Sequence, residues 1–286
     1  MEKNFVSKIS IGSANFGIKY TIDKKKLTKN KIFKILNLAK RNNINSIDTA
    51  QSYGNSENII GEYIKSKFYK KWDITTKITK KKSKIIDLLN HSKINLSVMP
   101  KNVLVHNYKD YLNDKFRNDL IELKKKININ IGVSIYNDSE IIKVLEKHQP
   151  DVVQLPINAI NKKLYSTGLI RLLKEQKIII QSRSIFFQGL FFKNENIIKE
   201  KLKPLYKPLL KLKRIAKDNN MTLSELSLKF VNSINEINKI VIGVNSENQL
   251  RNNINIIKEK ASKKLISEIM DIDCEKTNFK EIIQNL

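Results

Sequence analysis

The sequence predicts an α/β protein folded as a (β/α)8 TIM barrel, a single domain over residues 1–286 with a closed parallel barrel of eight strands. Eight short runs rich in β-branched residues alternate with longer amphipathic stretches. The short runs are continuously apolar, as expected of strands that helices cover on a parallel sheet. A length of 286 residues suits eight such units.

The strand candidates follow one another along the whole chain, at residues 7–14, 45–50, 72–78, 102–107, 129–136, 151–157, 177–185 and 239–244. The stretches between them show helical spacing of apolar residues. Three such faces are formed by Ile32, Ile35, Leu36 and Ala39; by Ile141, Val144 and Leu145; and by Leu223, Leu226 and Phe230. The longest connection precedes the last strand, and we expect its residues 193–220 to carry an inserted loop.

A doubly wound open sheet is the competing fold. Such sheets usually carry a glycine-rich turn of the pattern GxGxxG after the first strand. The stretch from Gly12 to Gly17 reads GSANFG and does not fit that pattern. The closed barrel is therefore the better prediction.

The composition indicates a soluble, cytoplasmic protein. There is no apolar run long enough to span a bilayer, no signal-peptide pattern at the start, and only one cysteine, Cys274.

The net charge is +26, but only 6 of the 54 basic residues are arginine and 34 residues are asparagine. That bias favours a compositional origin over a specific nucleic-acid partner, since base readout and phosphate clamping favour arginine. Attraction of the basic surface to anionic partners remains the alternative. The sequence contains no pattern that indicates an oligomeric state.

Four polar residues lie where consecutive strands end. Asp48 ends the second strand candidate with Tyr53 five residues later, Lys77 lies at the end of the third, and His106 at the end of the fourth. Taken alone, each residue has an ordinary structural explanation. The carboxyl ends of barrel strands meet at one mouth, however, so the four side chains are expected to lie close together. A nearby ammonium lowers the pKa of a phenol, and an imidazole can bind a substrate oxygen. Together they suggest a proton-donating site for a carbonyl that accepts a hydride.

The sequence around these residues resembles the aldo-keto reductases. The stretch from Asp48 to Glu57 reads DTAQSYGNSE and is followed by Ile60-Gly61, which is similar to the family signature DTAxxYGxSExxLG. Further similar stretches occur in family order over more than 240 residues: SIGSANFG (10–17), TTK ending at Lys77, VLVHN (103–107), GVSIY (132–136), VQLPIN (153–158), RSIFFQGL (183–190) and VIGVNSENQLRNN (241–253).

The resemblance implies a catalytic tetrad of Asp48, Tyr53, Lys77 and His106. It makes Tyr53 the general acid, Lys77 the modulator of its pKa, Asp48 the partner of Lys77, and His106 the group that orients the carbonyl. It also implies reduction of a small aldehyde or ketone with NADPH, or with NADH as the alternative, bound across the barrel mouth. The implied cofactor-binding residues are Ser134, Gln154, Arg183, Ser184, Gly243, Asn245, Ser246, Gln249 and Asn253.

Within that set, the resemblance directs Ser134 and Gln154 at the nicotinamide carboxamide and Asn253 at the adenine. Gly243 leaves room for the phosphates beside the helix that Ser246 opens. A purely structural interpretation also exists, because Ser246-x-x-Gln249 is a helix capping box that needs no ligand.

Three positions depart from the family pattern. Ile135 replaces an asparagine that contacts the carboxamide in many members. Arg183 falls where many members stack an aromatic ring, so it could instead meet a phosphate or an acidic substrate. Asn245 falls where NADP-preferring relatives often carry arginine, which weakens but does not reverse the NADPH expectation.

Little sequence follows the helix candidate around residues 265–270, which predicts an open site for bulky polar substrates such as sugar derivatives. The alternative function is a regulatory or sensing subunit that binds NADPH with little turnover; a weaker one is an anion-binding protein. No metal is expected, since His91, His106 and His148 lie on different elements.

Overall fold

Eight parallel strands close into a barrel in the computed structural model of the chain, which describes residues 5–19, 26–67, 71–201, 203–274 and 279–284. The strands follow the order of the sequence around the barrel, and the last pairs with the first through Ile9↔Ile240 to Gly12↔Gly243. The predicted closed (β/α)8 barrel is confirmed, and the open doubly wound sheet is excluded.

The strands are β1 Ile9–Gly12, β2 Ser46–Asp48, β3 Asp73–Ile78, β4 Asn102–Val105, β5 Asn130–Ser134, β6 Val152–Pro156, β7 Ile179–Arg183 and β8 Lys239–Gly243. The helices are α1 Ala14–Gly17, α2 Lys29–Arg41, α3 Ser56–Lys67, α4 Ile85–Leu96, α5 Tyr108–Tyr111, α6 Asp114–Lys126, α7 Asp138–Lys147, α8 Lys163–Ser166, α9 Leu169–Glu175, α10 Glu195–Lys201, α11 Lys203–Asp218, α12 Leu223–Ser233, α13 Glu247–Ile256, α14 Lys263–Met270 and α15 Phe279–Gln284. Short 3-10 helices span Phe5–Lys8 and Phe187–Phe192.

All eight predicted strands are present, and each is shorter than predicted. The residues after the strands leave the ladder to form the turns of the mouth, and those before the strands belong to the connections at the floor. The predicted helical faces also pack inward: in α2, Ile32, Ile35, Leu36 and Ala39 are fully buried. The connection before β8 differs from the prediction of an inserted loop, because most of the described residues between 193 and 220 form α10 and α11.

Polar side chains occupy part of the barrel interior. Gln154 Nε2 donates to Gln181 Oε1 (3.1 Å), and Gln181 Nε2 donates to Thr75 Oγ1 (3.0 Å). Asn102 Nδ2 donates to the same Thr75 oxygen (2.9 Å) and its own Oδ1 accepts from Asn130 Nδ2 (2.9 Å). Asn102 and Asn130 begin β4 and β5, so this interior amide chain runs from the floor of the barrel toward its mouth.

Close backbone packing fixes the loop after β2 against α1. A Cβ on Gly17 would lie 1.7 Å from the Tyr53 carbonyl oxygen and 2.5 Å from the Ser56 nitrogen. Only glycine permits this approach. Ser56 Oγ also donates to the Ser13 carbonyl oxygen (3.1 Å). The loop that carries Tyr53 is therefore held by the segment after β1.

Among the described residues, no helix is long and apolar enough to cross a membrane.

Candidate active site

A buried ion pair lies at the centre of the barrel mouth. Lys77 Nζ donates to both carboxylate oxygens of Asp48, at 2.8 and 2.7 Å, and to the Thr49 carbonyl oxygen at 3.0 Å. Lys77 is 1% exposed and Asp48 4%. Burial of two charges is tolerated only when each is paired and hydrogen-bonded, and this geometry meets both conditions.

Tyr53 lies beside this pair in the loop after β2. The Lys77 ammonium is 5.1 Å from the centroid of the Tyr53 ring. Burial raises the pKa of the Tyr53 hydroxyl well above its usual range, the Asp48 carboxylate raises it further, and Arg183 opposes both. The predicted lowering of this pKa is not found, because loss of hydration outweighs the opposing effect of Arg183. The phenol consequently keeps its proton at neutral and mildly alkaline pH.

His106 faces Tyr53 across the mouth, directly after β4. The two rings meet edge to face with centroids 6.0 Å apart. His106 Nδ1 hydrogen-bonds Ser52 Oγ at 3.2 Å, so when the serine hydroxyl donates, the Nε2 hydrogen is free to bind another group. Burial lowers the pKa of His106 to about 3, with further lowering by Lys77 and Arg183. The imidazole is neutral at physiological pH.

The lowered pKa of His106 makes folding sensitive to acid. The unfolded chain binds a proton at His106 below about pH 6.5, whereas the folded chain does so only near pH 3. Stability from this group is therefore present above pH 6.5 and is lost as the pH falls toward 3. By pH 5 the loss reaches up to about 2 kcal/mol.

Urea unfolding at pH 7 and pH 5 measures this loss. His106→Gln is expected to lose less stability than the wild type over that interval. His91→Gln, a substitution on the distant α4, serves as the control and is expected to follow the wild type. Equal losses in the wild type and His106→Gln would contradict the prediction.

Gln154 lies next to the ion pair on β6, in register with Ser134 on β5. Its Nε2 donates to Asp48 Oδ1 at 2.6 Å, which joins the interior amide chain to the carboxylate. Its Oε1 is buried and has no hydrogen-bond partner among the described residues. Buried acceptors are rarely left in this state, so Gln154 has the capacity to bind a donor from a ligand.

A cleft of about 780 Å³ opens beside Tyr53 and extends toward the ends of β7 and β8. It is lined by eight of the sequence-predicted residues: Asp48, Tyr53, Arg183, Ser184, Gly243, Asn245, Gln249 and Asn253. The other five, Lys77, His106, Ser134, Gln154 and Ser246, do not line it. A Cβ on Gly243 would meet nothing within 4 Å, so the backbone there is open to a ligand.

The start of α13 differs in detail from a standard capping box. Ser246 Oγ accepts from the Gln249 backbone nitrogen at 3.2 Å, as predicted. The Gln249 side chain reaches one residue further back than expected, since its Oε1 accepts from the Asn245 backbone nitrogen at 2.7 Å. Asn15 Nδ2 donates to Asn245 Oδ1 at 2.9 Å. Asn245 is thus held from both sides at the edge of the cleft.

The family is decided by the match along the chain. The sequence profile of the Aldo/keto reductase family matches residues 8–273, which span all eight strands and the mouth described above. The chain belongs to the aldo/keto reductase family. It is an NAD(P)H-dependent oxidoreductase of the kind that acts on small carbonyl compounds.

Solved aldo-keto reductases share the fold of this reductase at low sequence identity. One from Bacillus halodurans, solved in its holo form, is 16% identical with a TM-score of 0.75, covering 95% of this chain and 94% of that one. One from Klebsiella pneumoniae, in complex with NADP and acetate, is 13% identical with a TM-score of 0.72, covering 95% and 93%. No curated protein sequence is significantly similar to this chain.

Three residues of the reductase's mouth were not singled out from the sequence. Ser52 binds His106 and lies inside the DTAQSYG stretch, so the signature was the available signal. Tyr136 packs under the Arg183 guanidinium, whose carbon lies 4.4 Å from the ring centroid. Asn15 lines the cleft from α1, three residues after the end of β1, and its place within the similar stretch SIGSANFG was the available signal.

The C-terminal segment packs against the segment after β7. The sequence after α14 contains a further helix, α15, and its Phe279 packs edge to face on Phe187 with centroids 6.0 Å apart. The C-terminal helix thus supports the segment after β7, which lines the cleft.

Among the described residues, no group of three or more His, Cys, Asp or Glu side chains is placed to hold a metal ion.

Proposed function

We propose that this reductase uses NADPH to reduce an aldehyde or ketone, with Tyr53 as the general acid. The observation that carries the proposal is the grouping of a protonated phenol, a neutral imidazole and a buried lysine-carboxylate pair at one mouth. The substrate class we propose is a polar carbonyl compound, such as a sugar derivative.

The residues fit a nicotinamide nucleotide. Gln154 offers an unpartnered buried oxygen to the carboxamide, with Ser134 beside it in register. Gly243 leaves its backbone open to the phosphates at the start of α13, and a helix N-terminus favours anions. Ser184, Asn245, Ser246 and Gln249 would lie along this path, and Asn253 of α13 would contact the adenine. When bound, the nucleotide supplies the hydride.

The chain's own residues handle the carbonyl oxygen. His106 in its neutral form orients that oxygen by donating from Nε2, while Ser52 holds Nδ1. Tyr53 Oη gives its proton to the oxygen as the carbonyl carbon accepts the hydride, and a solvent proton restores the phenol. The adjacent Lys77 ammonium stabilises the transient phenolate, and Asp48 keeps that ammonium in place. Burial raises the pKa of Tyr53 and so keeps its proton available for reduction at neutral pH.

An absorbance assay at 340 nm tests the proposal. The purified protein is mixed with NADPH, and separately with NADH, against aldehydes, ketones and sugar carbonyls. We expect oxidation of NADPH to depend on a carbonyl substrate and to exceed oxidation of NADH. Tight NADPH binding without turnover on any carbonyl would favour the sensing alternative. A strong preference for small hydrophobic aldehydes would contradict the proposed substrate class.

Gly243→Ala separates nucleotide binding from folding. The added methyl group projects into open space, so we expect an unchanged melting temperature. It also occupies the space proposed for the phosphates, so we expect NADPH affinity to fall about tenfold, a loss of about 1.4 kcal/mol. Fluorescence titration measures the affinity. Unchanged affinity would contradict the placement of the phosphates beside Gly243.

A further inference from the structure

The Arg183 guanidinium is held at the mouth by neutral groups. One terminal nitrogen donates to the Ile135 carbonyl oxygen at 3.1 Å and the other lies 3.4 Å from Ser184 Oγ. Its carbon lies 4.4 Å from the Tyr136 ring centroid. Within the described residues these bonds use two of its five N–H groups, which leaves three donors for a ligand.

No carboxylate neutralises this cation in the part of the chain that the structure describes. The cleft contains two acidic side chains, and both have other partners. Asp48 binds Lys77, and Glu225 accepts from Thr222 in the capping box of α12. A partly buried guanidinium without a counter-charge favours an anion in the cleft, and its fork suits a carboxylate or a phosphate.

The direction of the side chain places that anion near the reacting groups. Arg183 ends β7, yet its guanidinium reaches Ile135 and Tyr136, which follow β5. It therefore points away from β8 and α13, where we place the nucleotide phosphates. Its charge lowers the pKa of His106 and opposes the rise in the pKa of Tyr53, as expected of a cation close to both groups.

From this geometry we infer that Arg183 binds an anionic group of the substrate, so that the enzyme selects carbonyl compounds that carry a carboxylate or a phosphate. The inference rests on the proposed function and names the substrate class of that same site. A sugar acid or a sugar phosphate would meet both requirements, since each is a polar carbonyl compound that carries an anionic group.

Matched aromatic aldehydes test the inference. The probes are 4-formylbenzoate, 4-formylphenyl phosphate and the uncharged methyl 4-formylbenzoate, each assayed with NADPH. We expect kcat/KM for an anionic aldehyde to exceed that for the ester by about 10- to 100-fold, as hydrogen bonds to charged groups allow. The two anionic probes distinguish carboxylate from phosphate.

Substitutions assign the preference to Arg183. Arg183→Gln is expected to bring the ratio of anionic to neutral kcat/KM to within about threefold of unity, and Arg183→Lys to retain part of it. Arg171→Gln, which removes an exposed arginine of α9, controls for the overall positive charge and is expected to keep the ratio. A wild-type ratio near unity, or an Arg183→Gln variant that keeps the ratio and loses NADPH affinity, would overturn the inference.

Calorimetry separates failure of the inference from failure of the proposed function. If no aldehyde is reduced, the proposed function fails, and binding of 4-formylbenzoate and its methyl ester is then measured directly. Binding of the anion that Arg183→Gln abolishes and Arg171→Gln preserves would still support the subsite. Absence of such binding would overturn it.

Discussion

Replacement of Tyr53 by phenylalanine is expected to lower kcat by about 10²- to 10⁴-fold, the range typical of a lost general acid. The ring remains to pack beside Lys77, so NADPH affinity is expected to change little. Stopped-flow measurement of NADPH oxidation gives the rate, and fluorescence titration gives the affinity. Because burial raises the pKa of Tyr53, wild-type kcat is expected to show no loss of the acid from pH 7 to pH 9.

A second tyrosine supplies the control. The Tyr111 hydroxyl donates to the His148 carbonyl oxygen at 3.2 Å, away from the mouth. Tyr111→Phe removes one such bond, worth about 1 kcal/mol of stability, and is expected to leave kcat unchanged. Wild-type turnover in Tyr53→Phe would show that another group donates the proton.

Replacement of Lys77 by methionine is expected to destabilise the fold by about 3–5 kcal/mol, because it leaves the Asp48 carboxylate buried without its cation. It also removes the ammonium beside Tyr53, so kcat should fall as well. Urea unfolding measures the free energy of unfolding. The double variant Lys77→Met with Asp48→Asn removes both charges and is expected to recover much of the lost stability.

An exposed pair provides the comparison for this effect. Lys101 and Asp73 form a surface salt bridge at 3.1 Å with both side chains about half exposed. Exposed pairs contribute little, so Lys101→Met is expected to change stability far less than Lys77→Met. If the single and double variants at the mouth are equally unstable, an unpaired buried charge is not the cause.

The barrel was predictable because strand and helix periodicities are local properties of the sequence. The grouping of Asp48, Tyr53, Lys77 and His106 was also accessible, since strand ends converge in any such barrel. The direction of the Tyr53 pKa shift was not, because it depends on how much water the packed mouth excludes. The sequence pattern shows which charged residues lie near Tyr53, but it does not show the burial that raises the pKa of its hydroxyl.

Other details depend on side-chain direction, which a pattern does not contain. The capping pattern predicted the Ser246 bond, but the reach of Gln249 to Asn245 follows from the local turn. Arg183 could equally have pointed toward β8, and its packing on Tyr136 together with its bond to the Ile135 carbonyl oxygen directs it toward β5. Gln181, Thr75 and Asn102 looked like ordinary strand residues, because their common neighbours come from distant segments.

The interior amide chain has a consequence for how this barrel can change over generations. Asp48 touches Gln154, which touches Gln181, and the contacts continue through Thr75 to Asn102 at the floor. Loss of Thr75 or of Gln154 leaves one end of the buried Gln181 amide without its hydrogen bond, which costs more than the bond itself contributes. A tolerated substitution at the floor therefore requires a matching change in the next layer. These positions are therefore expected to change together during evolution, so that substitutions at the barrel floor accompany substitutions near the mouth.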